Sequence, residues 1–161
     1  MHPAPTATPE AFVQQIRVIT SRIRARPLDS TLERDLNAWF PPASPEFEGL
    51  FTACQAGIAA GWMCAREAGG IKFGRVVKPT DTTDGFSVDV VEMQSLAGPH
   101  HRHPNGEIDL IMPLTPGARF DERDAGWLVY EPGSAHSPTV TQGCALVLYL
   151  LPAGAIEFTK V

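Results

Sequence analysis

With 161 residues, the chain is long enough for one domain with a buried core, and one active site is the default expectation. Thirteen basic and 18 acidic side chains give a formal net charge of −5, and no dense run of Lys or Arg is present. Such a chain is unsuited to phosphate backbones or an anionic membrane, so we expect neither nucleic acid nor a membrane as a partner.

The amino terminus and the cysteines indicate a reducing compartment. The first nine residues, MHPAPTATP, lack the basic start and the apolar core of a secretory signal. No later apolar stretch is long enough to span a bilayer. Cys54, Cys64 and Cys144 are odd in number and widely spaced, which suggests neither a disulfide framework nor a thiolate metal cage. We therefore expect a cytoplasmic protein.

Apolar residues at helical spacing predict three helices, over residues 9–25, 30–41 and 44–61. Ser30 and Glu33 have the spacing of a capping box, which predicts that the second helix begins near Ser30. The apolar stripes of the three helices are Phe12, Ile16, Ile19 and Ile23; then Leu32, Leu36 and Trp39; then Phe47, Leu50, Phe51, Cys54 and Ile58.

After Gly69 and Gly70 the apolar pattern changes from helical to alternating, which is typical of strands. Turn residues separate the strands at the short intervals expected of an antiparallel barrel or sandwich. We therefore predict an α+β fold, with an N-terminal helical region over residues 1–68 and a single small antiparallel β-barrel over residues 69–161. The predicted strands are 71–78, 86–93, 107–114, 127–130 and 145–151.

Histidines are concentrated in one short stretch of the β half, HHRHPNGE at residues 100–107. Residues two apart on a strand point to the same face, about 6.5–7 Å apart, so His101 and His103 can converge on one ion. The following Pro-Asn-Gly triplet turns the chain. Glu107 can then return on the next strand and offer a carboxylate to the same ion.

A second stretch, EPGSAH at residues 131–136, brings His136 after a tight turn. A lone histidine of this kind is more often a hydrogen-bonded barrel residue than a ligand. Three imidazoles together with the carboxylate of Glu107 favour metal ligation, because this donor set suits a divalent transition metal. The donor set does not choose among Fe, Mn, Ni, Zn and Cu.

These two stretches resemble the motifs of the cupin superfamily, Gly, His-x-His and Glu followed by Pro-x-Gly-x-x-His. The second motif is one residue tighter here, and the glycine expected after the glutamate comes late, at Gly117. Neither difference removes a ligand. Over roughly residues 70–158 the resemblance implies a cupin, jelly-roll-like barrel with metal ligands at His101, His103, Glu107 and His136.

Longer segments resemble the 4-hydroxylaminobenzoate lyase family. They are HRHPNGEIDLIMPL at 101–114, GWLVYEPGSAHSPTV at 126–140 and the late run LVLYLLPAGAIEF. The resemblance implies conversion of the small aromatic carboxylate 4-hydroxylaminobenzoate to 3,4-dihydroxybenzoate (protocatechuate), with release of ammonia, in nitroaromatic breakdown. The absence of a Gly-rich nucleotide fingerprint and of a P-loop agrees with a reaction that needs neither nicotinamide nor flavin.

Several further residues are candidates for the site. Asp109 follows Glu107 by two and should share its face, where a second carboxylate serves either a structural role or proton transfer. Arg75 can pair with a substrate carboxylate, although a solvated strand arginine is the commoner case. Tyr149 either turns its hydroxyl toward the site or packs in the core. His100 and Arg102 have the opposite strand parity and should face away from the metal.

The mechanism that the resemblance suggests uses the metal as a Lewis acid in cleavage of the N–O bond, with Asp109 or Glu107 as proton carrier. Three alternatives stay open: an Fe(II)-dependent dioxygenase acting on a small aromatic acid, a non-catalytic metal-dependent binding module, and a metal-free structural barrel. We expect a symmetric homodimer, because such dimers are the commonest oligomers.

Overall fold

The computed structural model describes residues 8–159. The three predicted helices are confirmed, and each begins with a side chain that accepts a hydrogen bond from the first turn: Thr8, Asp29 and Ser44. Within the described residues, no helix is long and apolar enough to cross a membrane. The helices are α1 (Pro9–Ile23), α2 (Ser30–Trp39) and α3 (Pro45–Ala60).

The predicted capping box of α2 is wrong. The cap is Asp29, whose carboxylate accepts from the amide of Leu32 at 2.9 Å, because Ser30 is already the first helical residue. Glu33 does not reach back to the helix start. Its carboxylate instead accepts a hydrogen bond from the amide of Val129, 2.9 Å away in the β half of the chain.

The strands confirm the alternating pattern. All five predicted strands are present, with ends that differ from the predicted ones by one residue at most. The remaining strands are two or three residues long, too short to show an alternating pattern. The strands are β1 (Arg66–Ala68), β2 (Ile71–Val77), β3 (Phe86–Gln94), β4 (His101–His103), β5 (Glu107–Pro113), β6 (Arg119–Phe120), β7 (Gly126–Tyr130), β8 (Ser134–His136), β9 (Val140–Thr141), β10 (Cys144–Pro152) and β11 (Glu157–Phe158).

The strands form three antiparallel sheets. The largest has the order β1-β2-β3-β10-β5-β7, a second has the order β11-β4-β8, and β6 pairs with β9. The α+β class is confirmed, but the described strands do not join into one closed sheet, and the single barrel stays a prediction. The division near residue 68 also stays a prediction, since β1 already begins at Arg66.

The six-stranded sheet has a hydrophobic core on each face. Val90, Leu110 and Leu148 lie on the outer face, where the helices pack in one continuous core. Val91 and Val147 point the other way, because side chains alternate along a strand. We call this second side the inner face. The helices therefore cover the outside of the sheet and leave the inner face to a separate core.

Helix α2 also covers an edge of the large sheet. Strand β7 pairs only with β5 in that sheet, so its outward backbone groups need other partners. Asn37 accepts from the amide of Trp127 at 2.8 Å and donates to its carbonyl at 2.9 Å. Glu33 accepts from Val129 further along the strand. Two side chains of one helix thus replace a neighbouring strand.

Candidate metal centre

The four predicted ligands come together from two sheets. His101 and His103 are the two inward residues of β4, and His136 lies opposite His101 on the adjacent strand β8. Glu107 begins β5 in the large sheet. One nitrogen or oxygen atom from each residue lies within 4.8 Å of those of the others. We call these four residues the histidine–glutamate cluster.

The turn before Glu107 places the carboxylate. The amide of Gly106 donates to the carbonyl of His103 at 3.2 Å, and the chain then passes from one sheet to the other. Gly106 has a φ of 87°, and a side chain there would approach the carbonyl oxygen of Tyr130 to 2.8 Å. Glycine is therefore required at this position. The turn was predicted to reverse the chain, but β4 and β5 do not pair.

The donor atoms face one another at short range. Glu107 lies 3.4 Å from Nε2 of His101 and 3.2 Å from Nε2 of His103. Nε2 of His136 is 3.6 Å from Glu107 and 3.1 Å from Nε2 of His101. Both oxygens of Glu107 and Nε2 of His103 are buried and have no hydrogen-bond partner among the described residues. Buried polar atoms without partners are costly, and a bound cation would satisfy them.

Nδ1 of each imidazole, the ring nitrogen that points away from the centre of the cluster, has its own hydrogen-bond acceptor. Nδ1 of His103 lies 2.9 Å from Oγ of Ser134, and that hydroxyl donates to the carbonyl of Glu131 at 2.6 Å. Nδ1 of His101 faces the carbonyl of Pro99 at 3.4 Å. These acceptors hold a proton on Nδ1 and leave the lone pair on Nε2, toward the centre of the cluster. The residues present therefore fit a metal ion.

His136 has the strongest partner of the three imidazoles. Its Nδ1 lies 2.6 Å from Oδ2 of Asp121, and the hydroxyl of Tyr130 donates to the same oxygen. Burial acts to lower the pKa of His136, but Asp121 and then Glu107 raise it to about 9. A metal ion at Nε2 of His136 would therefore compete with a proton for that nitrogen.

Two carboxyl groups stand side by side on the inner face of β5. Burial acts to raise the pKa of Glu107, but the three imidazoles hold that pKa well below its usual range. Asp109 is fully buried, and neither of its oxygens has a hydrogen-bond partner among the described residues. Burial, followed by the charge of Glu107, raises the pKa of Asp109 well above its usual range. The structure thus places Asp109 beside the cluster.

A cavity of about 530 Å³ lies against the cluster, between the inner face and the segment that follows α3. His101 is the one member of the cluster on its wall, together with Tyr149 and the aromatic rings of Phe73 and Phe158. The ring centroids of His101 and Tyr149 are 6.3 Å apart. A molecule in this cavity would therefore approach the cluster from the His101 side.

Arg75 also lies on the cavity wall, where its guanidinium is already engaged. It donates to Asp89 at 2.8 and 3.3 Å and to the carbonyl of Gly154 at 3.1 Å. The hydrogen bond to Asp89 raises the pKa of Arg75. Arg66 on β1 is a second arginine of the same cavity, one that the sequence pattern did not single out.

The residues next to the histidines face outward, as predicted. Arg102 forms an ion pair with Glu157 at 2.9 Å. The ring of His100 contacts the hydroxyl of Thr159. Strand parity therefore separates the surface residues of the HHRH stretch from the cluster, and His100 offers a natural control for substitutions of His101.

Sequence reasoning missed Asp121, Tyr130 and Ser134, the side chains that orient the imidazoles. Asp121 follows a strand of two residues and has a left-handed φ of 47°, so no alternating pattern points to it. The sole signal in the sequence is the proximity of Ser134 to His136. Side chains that hydrogen-bond metal-binding imidazoles tune their affinity, so these residues belong to the site.

Comparison with known proteins assigns the family. The family model described as PnbB, 4-hydroxylaminobenzoate lyase, matches residues 14–158. A 4-hydroxylaminobenzoate lyase from Nocardioides sp. (strain LMS-CY) is 29% identical over 161 residues, 94% of this chain and 95% of the relative. One from Pseudomonas putida is 30% identical over 155 residues, 86% of this chain and 88% of the relative.

A solved RmlC-like cupin protein from Ralstonia eutropha JMP134 matches with a TM-score of 0.44 and 15% identity, over 60% of this chain and 64% of that chain. The family match spans the helices after residue 14 as well as both stretches that carry the histidine–glutamate cluster. The curated relatives bear the same name as the family. The chain therefore belongs to the 4-hydroxylaminobenzoate lyase family and is an enzyme of the lyase class.

Proposed function

We propose that this enzyme converts 4-hydroxylaminobenzoate and one water molecule to 3,4-dihydroxybenzoate and ammonia at a divalent transition metal. The atoms balance without an external oxidant or reductant. Cleavage of the N–O bond reduces the nitrogen while the neighbouring ring carbon is oxidised and gains a hydroxyl, and water then replaces the nitrogen on the ring, which leaves as ammonia. The observation that carries the proposal is a cluster of converging donor atoms beside a cavity, in a chain whose family bears this name.

We propose that the histidine–glutamate cluster holds the metal. The support is the proton arrangement, since each Nδ1 faces an acceptor and each Nε2 faces the centre. Glu107 contributes a carboxylate that is fully buried against the imidazoles. A bound metal would supply Lewis acidity toward the hydroxylamino oxygen or a water molecule. Fe, Mn, Ni, Zn and Cu all suit this donor set.

The cavity is the proposed substrate site. Its volume of about 530 Å³ falls in the range of about 300–1,000 Å³ that is usual for small-molecule pockets. Phe73 and Phe158 offer flat apolar walls to an aromatic ring. We propose that Tyr149, beside His101, contacts the reacting end of the substrate, and that the substrate carboxylate lies toward the guanidinium of Arg75.

Proton transfer is assigned to the carboxyl groups of β5. Asp109 is fully buried on the same face as Glu107 and next to Tyr149 in the sheet register. Its oxygens have no competing hydrogen-bond partner among the described residues. A carboxyl group in this position can donate a proton to the hydroxyl that departs when the N–O bond breaks, or take one from water. Glu107 is the second candidate for this transfer.

The test is turnover without oxygen. Purified enzyme is loaded with each candidate metal and incubated anaerobically with 4-hydroxylaminobenzoate, and ammonia and 3,4-dihydroxybenzoate are quantified. We expect both products in equal amounts from the wild type. The His101→Ala, His136→Ala double variant should lose metal and more than about 100-fold in rate, since partners outside the ligand shell alone cost about 10–100-fold. The matched control is His100→Ala, which should retain both.

Other outcomes would select another function. Product formation only with oxygen, together with oxygen consumption, would favour a dioxygenase. Tight binding of the hydroxylamino compound without turnover would favour a binding module. Full activity in the double variant would contradict a role for the metal site and leave the barrel with a structural role alone.

We also propose that the sheets form the barrel of a cupin and that the enzyme works as a symmetric homodimer in the cytoplasm. The support for a dimer is the prevalence of two-fold assemblies among soluble enzymes. Light scattering coupled to size-exclusion chromatography tests the oligomeric state. A mass of about one chain, near 17.4 kDa, would contradict the dimer.

A further inference from the structure

The imidazoles of the cluster have unequal outer partners. His103 faces a hydroxyl, and His101 faces a backbone carbonyl at the longer distance of 3.4 Å. His136 faces a carboxylate at 2.6 Å, that of Asp121. A hydrogen bond to an ionised group is roughly twice as strong as one between neutral groups. His136 therefore has the strongest outer partner of the three imidazoles.

Asp121 is held rigidly in its place. Its backbone amide donates to the carbonyl of Thr139 at 2.8 Å, and the amide of Thr139 returns a bond to Oδ1 at 2.9 Å. The hydroxyl of Tyr130 donates to Oδ2, the oxygen that also faces His136. The carboxylate of Asp121 is thus fixed in direction.

The side chains of Asp121, Tyr130 and His136 also pack together. The ring of Tyr130 lies 4.5 Å from that of His136 and 5.2 Å from that of His103, measured between centroids. The side chains of His136 and Asp121 are 11% and 12% exposed, so water competes little for their hydrogen bond. A carboxylate behind an imidazole fixes its tautomer and makes it a stronger metal donor.

We propose that Asp121, supported by Tyr130, is a positioning residue that makes His136 the strongest imidazole donor of the metal centre. This inference rests on the proposed metal site. It attributes much of that site's affinity for the metal to Asp121. Asp121 acts through His136 and does not itself contact the metal. The carboxylate supplies charge as well as orientation, and a neutral amide of the same shape would supply orientation alone.

The test measures cobalt(II) binding to the complete chain, followed by calorimetry and by the visible absorption of the bound ion. We expect Asp121→Asn to weaken binding about 10–100-fold and to shift the cobalt absorption bands. Ser134→Ala removes the neutral partner of His103 and should weaken binding less. Asp124→Asn removes an exposed charge from the same segment and should leave affinity and spectrum unchanged.

The outcomes separate the two proposals. If the wild type binds no cobalt, the proposed metal site fails and this inference with it. If the wild type binds cobalt but Asp121→Asn loses no more affinity than Ser134→Ala, the role of Asp121 alone is overturned. Should Asp121→Asn not fold, Tyr130→Phe carries the test: weaker binding with a shifted spectrum supports the proposal, and wild-type affinity and spectrum overturn it.

Discussion

His101 stands where the cluster meets the cavity, and this double position sets it apart from the other three members. Its ring lies 6.3 Å from that of Tyr149 and 5.8 Å from that of Phe158, between centroids. His103 and Glu107 have no exposed surface. If the cluster binds the metal and the cavity binds the substrate, as proposed, substitution of His101 would alter both, so substrate contact has to be tested at a neighbouring residue.

Tyr149 allows that separation. Tyr149→Phe removes one hydroxyl from the cavity wall and keeps the ring, so metal content should not change. If the hydroxyl contacts the substrate, kcat/KM should fall by about 2–10-fold, the value of a hydrogen bond worth about 0.5–1.5 kcal/mol. Steady-state kinetics and metal analysis of the same preparation check this. Loss of metal, or an unchanged kcat/KM, would contradict a substrate contact made by the hydroxyl.

Cys64, another residue of the cavity wall, yields a prediction about pH. Burial, followed by the charge of Glu92, raises the pKa of the Cys64 thiol to about 12. A raised pKa keeps a thiol neutral, and the thiolate is the form that reacts. At about pH 8, alkylation of Cys64 should therefore be far slower in the folded enzyme than in urea.

Mass spectrometry of iodoacetamide-treated protein measures the thiol labelling residue by residue. Cys144, which is partly exposed, should label first in the folded enzyme, and raising the pH should increase labelling of Cys64. Equal rates for Cys64 in the folded and unfolded protein would contradict the raised pKa of its thiol.

At the scale of elements, α2 contributes side chains to a sheet to which it does not belong. Asn37 bonds both backbone groups of Trp127, and the indole nitrogen of Trp127 donates to the carbonyl of Phe40 at 2.9 Å. Gly126 makes the approach possible, because a side chain there would lie 2.8 Å from Oδ1 of Asn37. The helix and the edge strand are therefore fitted to one another by specific polar contacts as well as by apolar packing.

Asn37→Ala tests that fit. The change leaves two backbone groups of β7 without their partners, which should lower the free energy of unfolding by about 1–3 kcal/mol. Urea unfolding followed by circular dichroism measures the difference. Arg34→Ala, at an exposed position of the same helix, is the control and should stay within about 0.5 kcal/mol of the wild type. Equal stability of the two variants would mean that water replaces Asn37 without cost.

For the whole molecule, the proposed metal site, which is built from two sheets, should couple metal binding to global stability. A ligand that binds only the folded state stabilises it by about 2.7 kcal/mol at a concentration of 100 times its Kd. For a chain of this size that corresponds to a rise in Tm of roughly 5–10 °C. Calorimetric scans with and without cobalt(II) check this rise, and a chelator should reverse it.

The His101→Ala, His136→Ala double variant is the control for this effect. Its Tm should not respond to cobalt(II), because two of the four donors are missing. A metal-dependent rise of equal size in the variant would place the binding elsewhere on the chain.

The parts of the fold that sequence could predict are those with a local pattern. Alternating residues such as Val88, Val90 and Ile108 predicted the long strands, and the spacing of His101, His103 and Glu107 predicted their common direction. The strand parity that placed Arg102 outside is equally local. These features depend on residues that are close together in the sequence, so each of them could be predicted from a single short segment.

The parts that escaped prediction depend on residues far apart in the chain. Asp121 meets His136 through a two-residue strand pair, and Arg75 meets Asp89 and Gly154 through the sheet register. Glu33 has the spacing of a capping box, but it bonds Val129, 96 residues further on. A distant backbone amide that would otherwise lack a partner outweighed a local cap, and no short-range pattern records such a competition.

The contact between α2 and β7 has a consequence for aggregation. An uncovered strand edge is a template on which a strand from another molecule can add. Glu33 and Asn37 occupy the amides that such a strand would use, and they do so from a helix that precedes the entire sheet in the chain. During synthesis the protecting helix therefore emerges before the edge that it protects, and a truncated chain that starts at residue 69 would expose that edge to its own copies.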